Sequence, residues 1–368
     1  EVMENCMDMK VESREKSGYL HLSREIRYFC RMYKQIIKPL LFNFSTEEAH
    51  GIAMKGANFC LKLPFGKNLL RSIAGKNFDQ ESTHFGLNFK NRVGLAAGFD
   101  KDGNYIESLQ QLGFGHIEVG TVTPRPQSGN PKPRLFRLKE DNALINRMGF
   151  NNKGVHNLAE NIRQLPEDRP ILGGNIGKNK DTPNEDAWKD YVYCFKHLHE
   201  QVDYFTINLS SPNTPGLRAL QEKEPLIKII SSVQEINAGL AKPKPILLKI
   251  SPDNERSVYD DIIEVATACK LDGLIATNTT IDRQGLKASS DFLEVIGAGG
   301  LSGQPLANKS IEVVKYLRAN MPAGMTLIGV GGISNKEQAE AMMASGADLV
   351  QLYTSFIYEG PGIVGRLM

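Results

Sequence analysis

An eight-stranded parallel (β/α)8 barrel is the fold class this sequence predicts. Short apolar runs recur at residues 93–97, 116–121, 171–176, 204–209, 246–250, 273–277, 326–330 and 349–353. Segments of helical periodicity lie between them, such as 260–268 and 336–344. Strands alternating with helices build a parallel sheet. Polar or glycine-rich clusters follow nearly every run. A doubly wound open sheet gathers its ligand groups at one switch point instead, so the closed barrel is favoured.

Taken in chain order, residues 1–18 match no element and read as a mobile or appended segment. Within 19–41, Ile26, Phe29, Cys30, Tyr33, Ile37, Leu40 and Leu41 fall on one helical face. Arg24, Arg27, Arg31, Lys34 and Lys38 line an adjacent face, and Pro39 is expected to break the helix near Lys38. "STEE" at 45–48 is a capping box with Ser45 as N-cap and Glu48 reaching back. A second helix follows, with Ala49, Ile52, Ala53, Gly56 and Cys60 on one face. Two readings fit this pair: helices packed on the barrel, or an element lying on an anionic membrane surface. Phe85–Phe89 with Asn91 reads as a short strand pair closing the barrel bottom, and 133–147 as an inserted hairpin turning at residues 139–142.

The 368 residues are 41% hydrophobic, enough for a large core, and the net charge of +2 exerts no global pull toward nucleic acid. The five cysteines are scattered, odd in number and never in a C-x-x-C pair, which argues against a disulfide framework or a zinc site and for isolated thiols. His197 and His199 read as surface residues rather than metal ligands, and no metal site is expected. No apolar run is long enough to cross a bilayer. The chain begins at Glu1 and ends at Met368, so an upstream targeting or anchoring segment and the end of the last helix are expected outside it.

The strand exits carry the chemistry, because barrels of this kind keep their functional groups there. "TINLSSPNTPG" at 206–216 holds more hydroxyls and amides than a turn needs. Glycines after the seventh run, residues after the eighth and "GAGGLSG" at 297–303 suit a phosphate cradle. Asn146, Asn175, Asn208, Asn213 and Asn278 suit a neutral planar ligand, since a carboxamide both donates and accepts. Lys101 and Lys249 add positive charge. Neither the carboxylate pair of a glycosidase nor the His/Asp set of a metal hydrolase is visible. The set points to a phosphate-bearing heterocyclic cofactor, with FMN the natural candidate.

The motifs "GLAAGFDKDG" (94–103), "EVGTVTPRPQSGNPKPRLFRL" (118–138), "INRMGFNN" (145–152), "GNIGKNK" (174–180), "NLSSPNT" (208–214), "GLIATNTT" (273–280), "GGLSG" (299–303), "IGVGGI" (328–333) and "QLYT" (351–354) occur in order. On these the chain resembles the class 2 dihydroorotate dehydrogenases, the membrane-associated, quinone-dependent class, from about residue 40 to 365. The resemblance implies a TIM barrel over 81–368 with FMN and dihydroorotate sites, and a helical quinone- and membrane-contact region over 19–80. It implies oxidation of dihydroorotate to orotate in pyrimidine biosynthesis, with FMN reoxidised by ubiquinone. Ser211 is the implied base, with Thr214 helping to relay the proton. Lys101, Asn146, Phe150, Asn208, Asn213, Asn278 and Thr279 are implied for the substrate. Ala97, Gly98, Thr121, Asn175, Asn208, Lys249, Thr277, Ser302, Gly303, Gly331, Gly332, Tyr353 and Thr354 are implied for FMN. His50, Arg137 and Tyr353 match the family's quinone tunnel, whereas Leu41 stands where a familiar relative has glutamine. The implied location is the mitochondrial inner membrane, peripheral or anchored by a segment outside this chain. A soluble class 1-like oxidase using fumarate or NAD, and a catalytically silent binding barrel, are the alternatives.

Overall fold

The computed structural model of the protein describes residues 31–75, 80–214 and 216–368. The expectations for residues 1–18 and for Arg24, Ile26, Arg27, Phe29 and Cys30 lie outside the described residues.

Among the strands, a hairpin of β1 (Ser82–His84) and β2 (Leu87–Phe89) comes first, after the helices between Tyr33 and Ala74. Its turn residues Phe85 and Gly86 have φ of 37° and 79°, the double positive φ that matches the twist of paired strands. Then come β3 (Val93–Leu95), β4 (His116–Val122), β5 (Leu135–Leu138), β6 (Ala143–Asn146), β7 (Ile171–Ile176), β8 (Tyr204–Asn208) and β9 (Ile246–Ile250). The series ends with β10 (Gly273–Ala276), β11 (Gly300–Gly303), β12 (Thr326–Val330) and β13 (Leu349–Leu352).

Eight of these strands, β3, β4, β7, β8, β9, β10, β12 and β13, pair in parallel with their chain neighbours. Val350 opposite Val93 closes the ring. Every residue of β4, β8, β9 and β12 is buried, as both faces of a covered parallel sheet must be. At the N-terminal end of the ring the hairpin drives in as a plug. Phe85 lies 5.4 Å from Phe89 and 5.5 Å from Tyr204, and Phe89 meets His116 edge-on at 5.3 Å.

At the opposite end, β5 and β6 form the expected hairpin, and β11 adds a third antiparallel strand to it. The segment 297–303 is therefore partly a strand rather than a free glycine loop. Its pairing with β6 uses backbone groups that the phosphate reading had left open.

Two further expectations change. The first helix does not break at Lys38; it continues through Lys38–Leu41. A π-helical turn at Tyr33–Ile37 precedes Pro39 and widens the helix where proline removes an N–H donor and crowds the preceding turn. His199 is buried, not on the surface, with its imidazole within 3.0 Å of the Lys242 carbonyl. The capping box at Ser45 and Glu48 forms as read and opens the helix Thr46–Leu61. That helix and Gly66–Ala74 lay Met54, Leu70 and Ala74 into the main core.

Candidate active site

The barrel strands deliver their C-terminal ends to one cavity. Ala97, Gly98 and Lys101 follow β3, Thr121 lies in β4, and Asn208 ends β8 ahead of Ser211 and Asn213. Lys249 projects from β9, Thr277 to Thr279 follow β10, Gly331 and Gly332 follow β12, and Tyr353 and Thr354 follow β13. The three-stranded sheet contributes Asn146, Ser302 and Gly303, and Phe150 completes that wall.

A polar chain rises into this cavity from the barrel centre. Glu118 on β4 is fully buried and accepts from Asn175 Nδ2 (2.7 Å), Gln351 Nε2 (2.9 Å) and the Tyr204 hydroxyl (3.4 Å). As a carboxylate it can only accept, so the Asn175 amide group must turn its NH2 inward. The Asn175 oxygen then faces Thr121 Oγ1 (2.5 Å) and Asn208 Nδ2 (3.2 Å). Asn208 in turn offers its oxygen to Asn278 Nδ2 at 3.3 Å. Asn278 also reaches Ser210 Oγ (3.0 Å) and accepts from the Thr279 N–H (2.8 Å). Each amide thus has one orientation, which fixes the donors and acceptors shown to a planar ligand.

The Ser211 side chain is buried, and its Oγ accepts from the Asn213 N–H at 3.3 Å. Asn213 Nδ2 donates to Asn146 Oδ1 at 2.9 Å, tying the serine loop to the small sheet. Phe150 holds a left-handed φ of 52°. Donation to its carbonyl from Gln127 (3.1 Å) and Asn152 (2.7 Å) maintains this sparsely populated conformation. Burial pushes the Lys249 ammonium below the ordinary lysine range, against the pull of Glu118. Burial, helped by the nearby Arg134 cation, brings Lys101 down to about 8.

A phosphate-bearing planar cofactor needs a cation for its electron-rich ring and open donors for its anion, and the cavity supplies both. Among the described residues the Lys249 ammonium has no hydrogen-bond or ion-pair partner, and the Gly331 and Gly332 N–H groups find no acceptor. Side chains are excluded there: a Cβ on Gly331 (φ 131°) would meet Ser310 Oγ at 2.2 Å, and one on Gly332 would meet the Ala307 Cα at 2.4 Å. Bare backbone is what allows close approach of an anion. The residues present fit FMN.

A second cavity of about 630 Å³ lies between the helix Thr46–Leu61 and the barrel. His50, Arg137, Tyr353 and Leu41 line it, and Gly98, Lys101, Met148 and Tyr353 border both cavities. Burial, with Lys101 nearby, takes the His50 imidazole down to about 4. Arg137 donates to the Phe44 carbonyl (2.8 Å) and stacks on Phe42 (4.4 Å), while its Nε is buried without a partner among the described residues.

A family model described as dihydroorotate dehydrogenase matches residues 80–368, more than half of the chain. The chain belongs to the dihydroorotate dehydrogenase family. A dihydroorotate dehydrogenase (quinone) of Christiangramia forsetii is 51% identical over 90% of this chain and 96% of that protein. One from Flavobacterium lutescens is 46% identical over 90% and 94%. A crystal structure of the Eimeria tenella dihydroorotate dehydrogenase with ferulenol superposes with a TM-score of 0.78 at 37% identity, covering 87% of this chain and 89% of that one. The ligand-free form from the same organism gives 0.78 at 38%. The quinone-dependent dihydroorotate dehydrogenases are FMN oxidoreductases that convert dihydroorotate to orotate in pyrimidine biosynthesis, and the chain's function and cofactor are those of this class. Neither the soluble class 1-like reading nor the silent barrel is favoured.

Of the residues anticipated for substrate and cofactor in this dihydroorotate dehydrogenase, all line the inner cavity except Asn175, which is buried behind Thr121 and Asn208. His50, Arg137 and Tyr353 come together in the outer cavity. Sequence reasoning missed Glu118, Gln127 and Gln351. Glu118 stands between Ile117 and Val119 inside a strand-like run, which was the available signal of an inward-facing charge.

Proposed function

We propose how this chain divides the work of dihydroorotate oxidation among its residues. Ser211 takes the proton from one ring carbon while the neighbouring carbon loses a hydride, and the double bond of orotate forms between them. The observation that carries this is the makeup of the inner cavity. Among the described residues, no histidine, aspartate or cysteine lines it, and Glu359, the one carboxylate among them that does, is engaged by Lys34 (2.6 Å) and Arg366 (3.3 Å). Ser211 instead sits among the amides of Asn208, Asn213 and Asn278. Serine is a weak base at neutral pH, so its own proton leaves as the substrate's arrives, with Thr214 relaying it. Lys101, Asn146 and Thr279 bind the substrate's carboxylate and ring edges, and Phe150 covers it.

Bound FMN would supply the two-electron acceptor for the hydride and the link to quinone. Lys249, Thr121, Asn208 and Thr277 would hold its ring beside Ala97 and Gly98, with Asn175 orienting Thr121 and Asn208 from behind. The backbone N–H groups of Gly331 and Gly332 would hold its phosphate, beside Ser302, Gly303, Tyr353 and Thr354.

The quinone enters the outer cavity, with His50, Arg137 and Tyr353 at its head. The helices between Tyr33 and Ala74 rest on the membrane that carries the quinone. Exposed Phe65 (83%), Phe59 (65%) and Leu40 (60%) support that reading, since large apolar side chains left exposed on and between these helices suit a lipid surface. Among the described residues no helix is long and apolar enough to cross a membrane. The mitochondrial inner membrane and a bacterial membrane both offer such a surface, and the two relatives named above are bacterial proteins.

Ser211→Ala tests the base assignment. The protein should still bind FMN and orotate, and flavin reduction by dihydroorotate in stopped flow should fall about 10²–10⁴-fold, the usual contribution of a positioned base. Reduction at the parental rate would give the role to another residue.

A further inference from the structure

A charged cluster outside both cavities holds the loops that carry the chemistry. Arg218 lies in the short 3-10 helix Leu217–Gln221, immediately after the serine loop. Its Nε donates back to the Ser210 carbonyl at 3.3 Å, the peptide that leads into Ser211. Its Nη2 donates to the Thr279 carbonyl at 3.3 Å and to Asp253 Oδ2 at 3.2 Å. One planar guanidinium therefore bridges the loop after β8 and the turn after β10, and its rigid fork fixes their separation.

Asp253, which follows β9, anchors that guanidinium. Its carboxylate also accepts from Lys309 Nζ (2.7 Å), the Ile281 N–H (2.9 Å) and the Thr280 hydroxyl. Burial would raise this carboxyl; the hydrogen bonds from Lys309, Thr280 and Ile281 outweigh it and hold the group below the ordinary carboxylate range. Arg218 does not line the inner cavity, and neither does Asp253. A cluster serving only to hold the barrel together would have no reason to converge on the carbonyls beside Ser211 and Asn278.

We propose that Arg218, oriented by Asp253, is a positioning residue for proton transfer: it clamps the peptide before Ser211 to the Asn278–Thr279 turn. This rests on the reading of Ser211 as the base. Removing the clamp lets the loop after β8 drift relative to the turn that binds substrate. Misplacement by about 1 Å can cost about 100-fold in rate.

The test is a double-mutant cycle on the FMN-loaded enzyme, using Arg218→Gln and Ser211→Ala. Arg218→Gln alone should slow flavin reduction at saturating dihydroorotate about 10–100-fold. FMN content and reoxidation by quinone should stay parental, and orotate affinity should change by less than about threefold, a split between kcat and binding that bulk loosening would not give. Amide exchange over residues 209–214 should quicken, and Arg218→Lys should recover part of the rate. In the Ser211→Ala background the same substitution should add less than about threefold, because a residue acting through another is non-additive with it. A parental rate for Arg218→Gln, or full additivity with a slow Ser211→Ala, overturns the clamp. A parental rate for Ser211→Ala alone overturns the base assignment instead. Should Arg218→Gln not retain FMN, Asp253→Asn keeps the shape and removes the anchoring charge; a parental reduction rate there overturns the proposal equally.

Discussion

Lys101 sits on the border of the two cavities with its ammonium brought down to about 8 by burial and the Arg134 cation. An anionic product such as orotate requires the protonated form, so apparent affinity scales with the protonated fraction. That fraction is about 0.9 at pH 7 and about 0.1 at pH 9 for a group titrating at about 8. The apparent Kd for orotate should therefore rise about tenfold between pH 7 and pH 9, and about tenfold per unit beyond. The ligand's carboxylate favours the charged lysine, so binding near pH 8 should take up a fraction of a proton. Flavin difference spectra across pH 6.5–9.5 give the Kd, and calorimetry in two buffers of different ionisation enthalpy gives the proton count. Lys101→Met should weaken orotate at pH 7 by about 1.5–3 kcal/mol, the worth of a hydrogen bond to a charged group, which is roughly 10–150-fold. The same variant should lose the pH dependence. A Kd flat from pH 7 to 9, or a pH dependence surviving in Lys101→Met, would refute the assignment of this lysine.

Two more outcomes follow from the cavities. Lys249→Ala removes the unpaired cation on β9 and should weaken FMN retention or slow flavin reduction, checked by flavin-to-protein ratio and stopped flow; normal values for both would remove Lys249 from the site. Deleting residues 1–63 should spare flavin reduction by dihydroorotate and strongly impair reoxidation by long-chain quinone, once the truncated protein is shown to be folded and flavin-loaded, because the helix Thr46–Leu61 walls only the outer cavity. Undiminished turnover with membrane-embedded quinone would remove these helices from the quinone site.

Much of this architecture was readable beforehand because its determinants are local. A buried parallel strand is a short apolar run, and a polar exit marks its C-terminal end, so all eight barrel strands were found within a residue or two. Ser45 and Glu48 announced the second helix through chemistry contained in four residues. Pro39 misled because its local penalty was offset by a π-turn, which no short-range rule supplies. β11 escaped notice because glycines carry little strand signal and its partner, β6, lies more than 150 residues away. The site was legible where the chain concentrates amides in one segment and obscure where barrel closure assembles it. Glu118 gains its meaning from Asn175 and Gln351, and Arg218 from Asp253 and Thr279, partners that only barrel closure brings within reach. The basic flank of the first helix also reads differently in three dimensions: Lys34 is committed to Glu359 at 2.6 Å, and Arg31 reaches Gln35 at 3.2 Å. The Lys34 ion pair leaves less of that charge for a lipid headgroup than the sequence suggests, while the neutral Gln35 leaves the Arg31 charge intact.

The Phe85 hairpin makes the barrel a cup rather than a pipe. With Phe85, Phe89, Tyr204 and His116 packed across the floor, both ligands must arrive at the rim. The rim is divided by its two additions. The helical flank offers an oily approach suited to a molecule dissolved in lipid, and the small three-stranded sheet borders an approach lined with amides for one dissolved in water. A wall of a few residues, Tyr353 among them, separates the two. With quinone in the outer cavity and dihydroorotate in the inner one, as proposed above, sorting by solubility would need no gate: each reactant would find its own entrance because the other doorway is the wrong solvent.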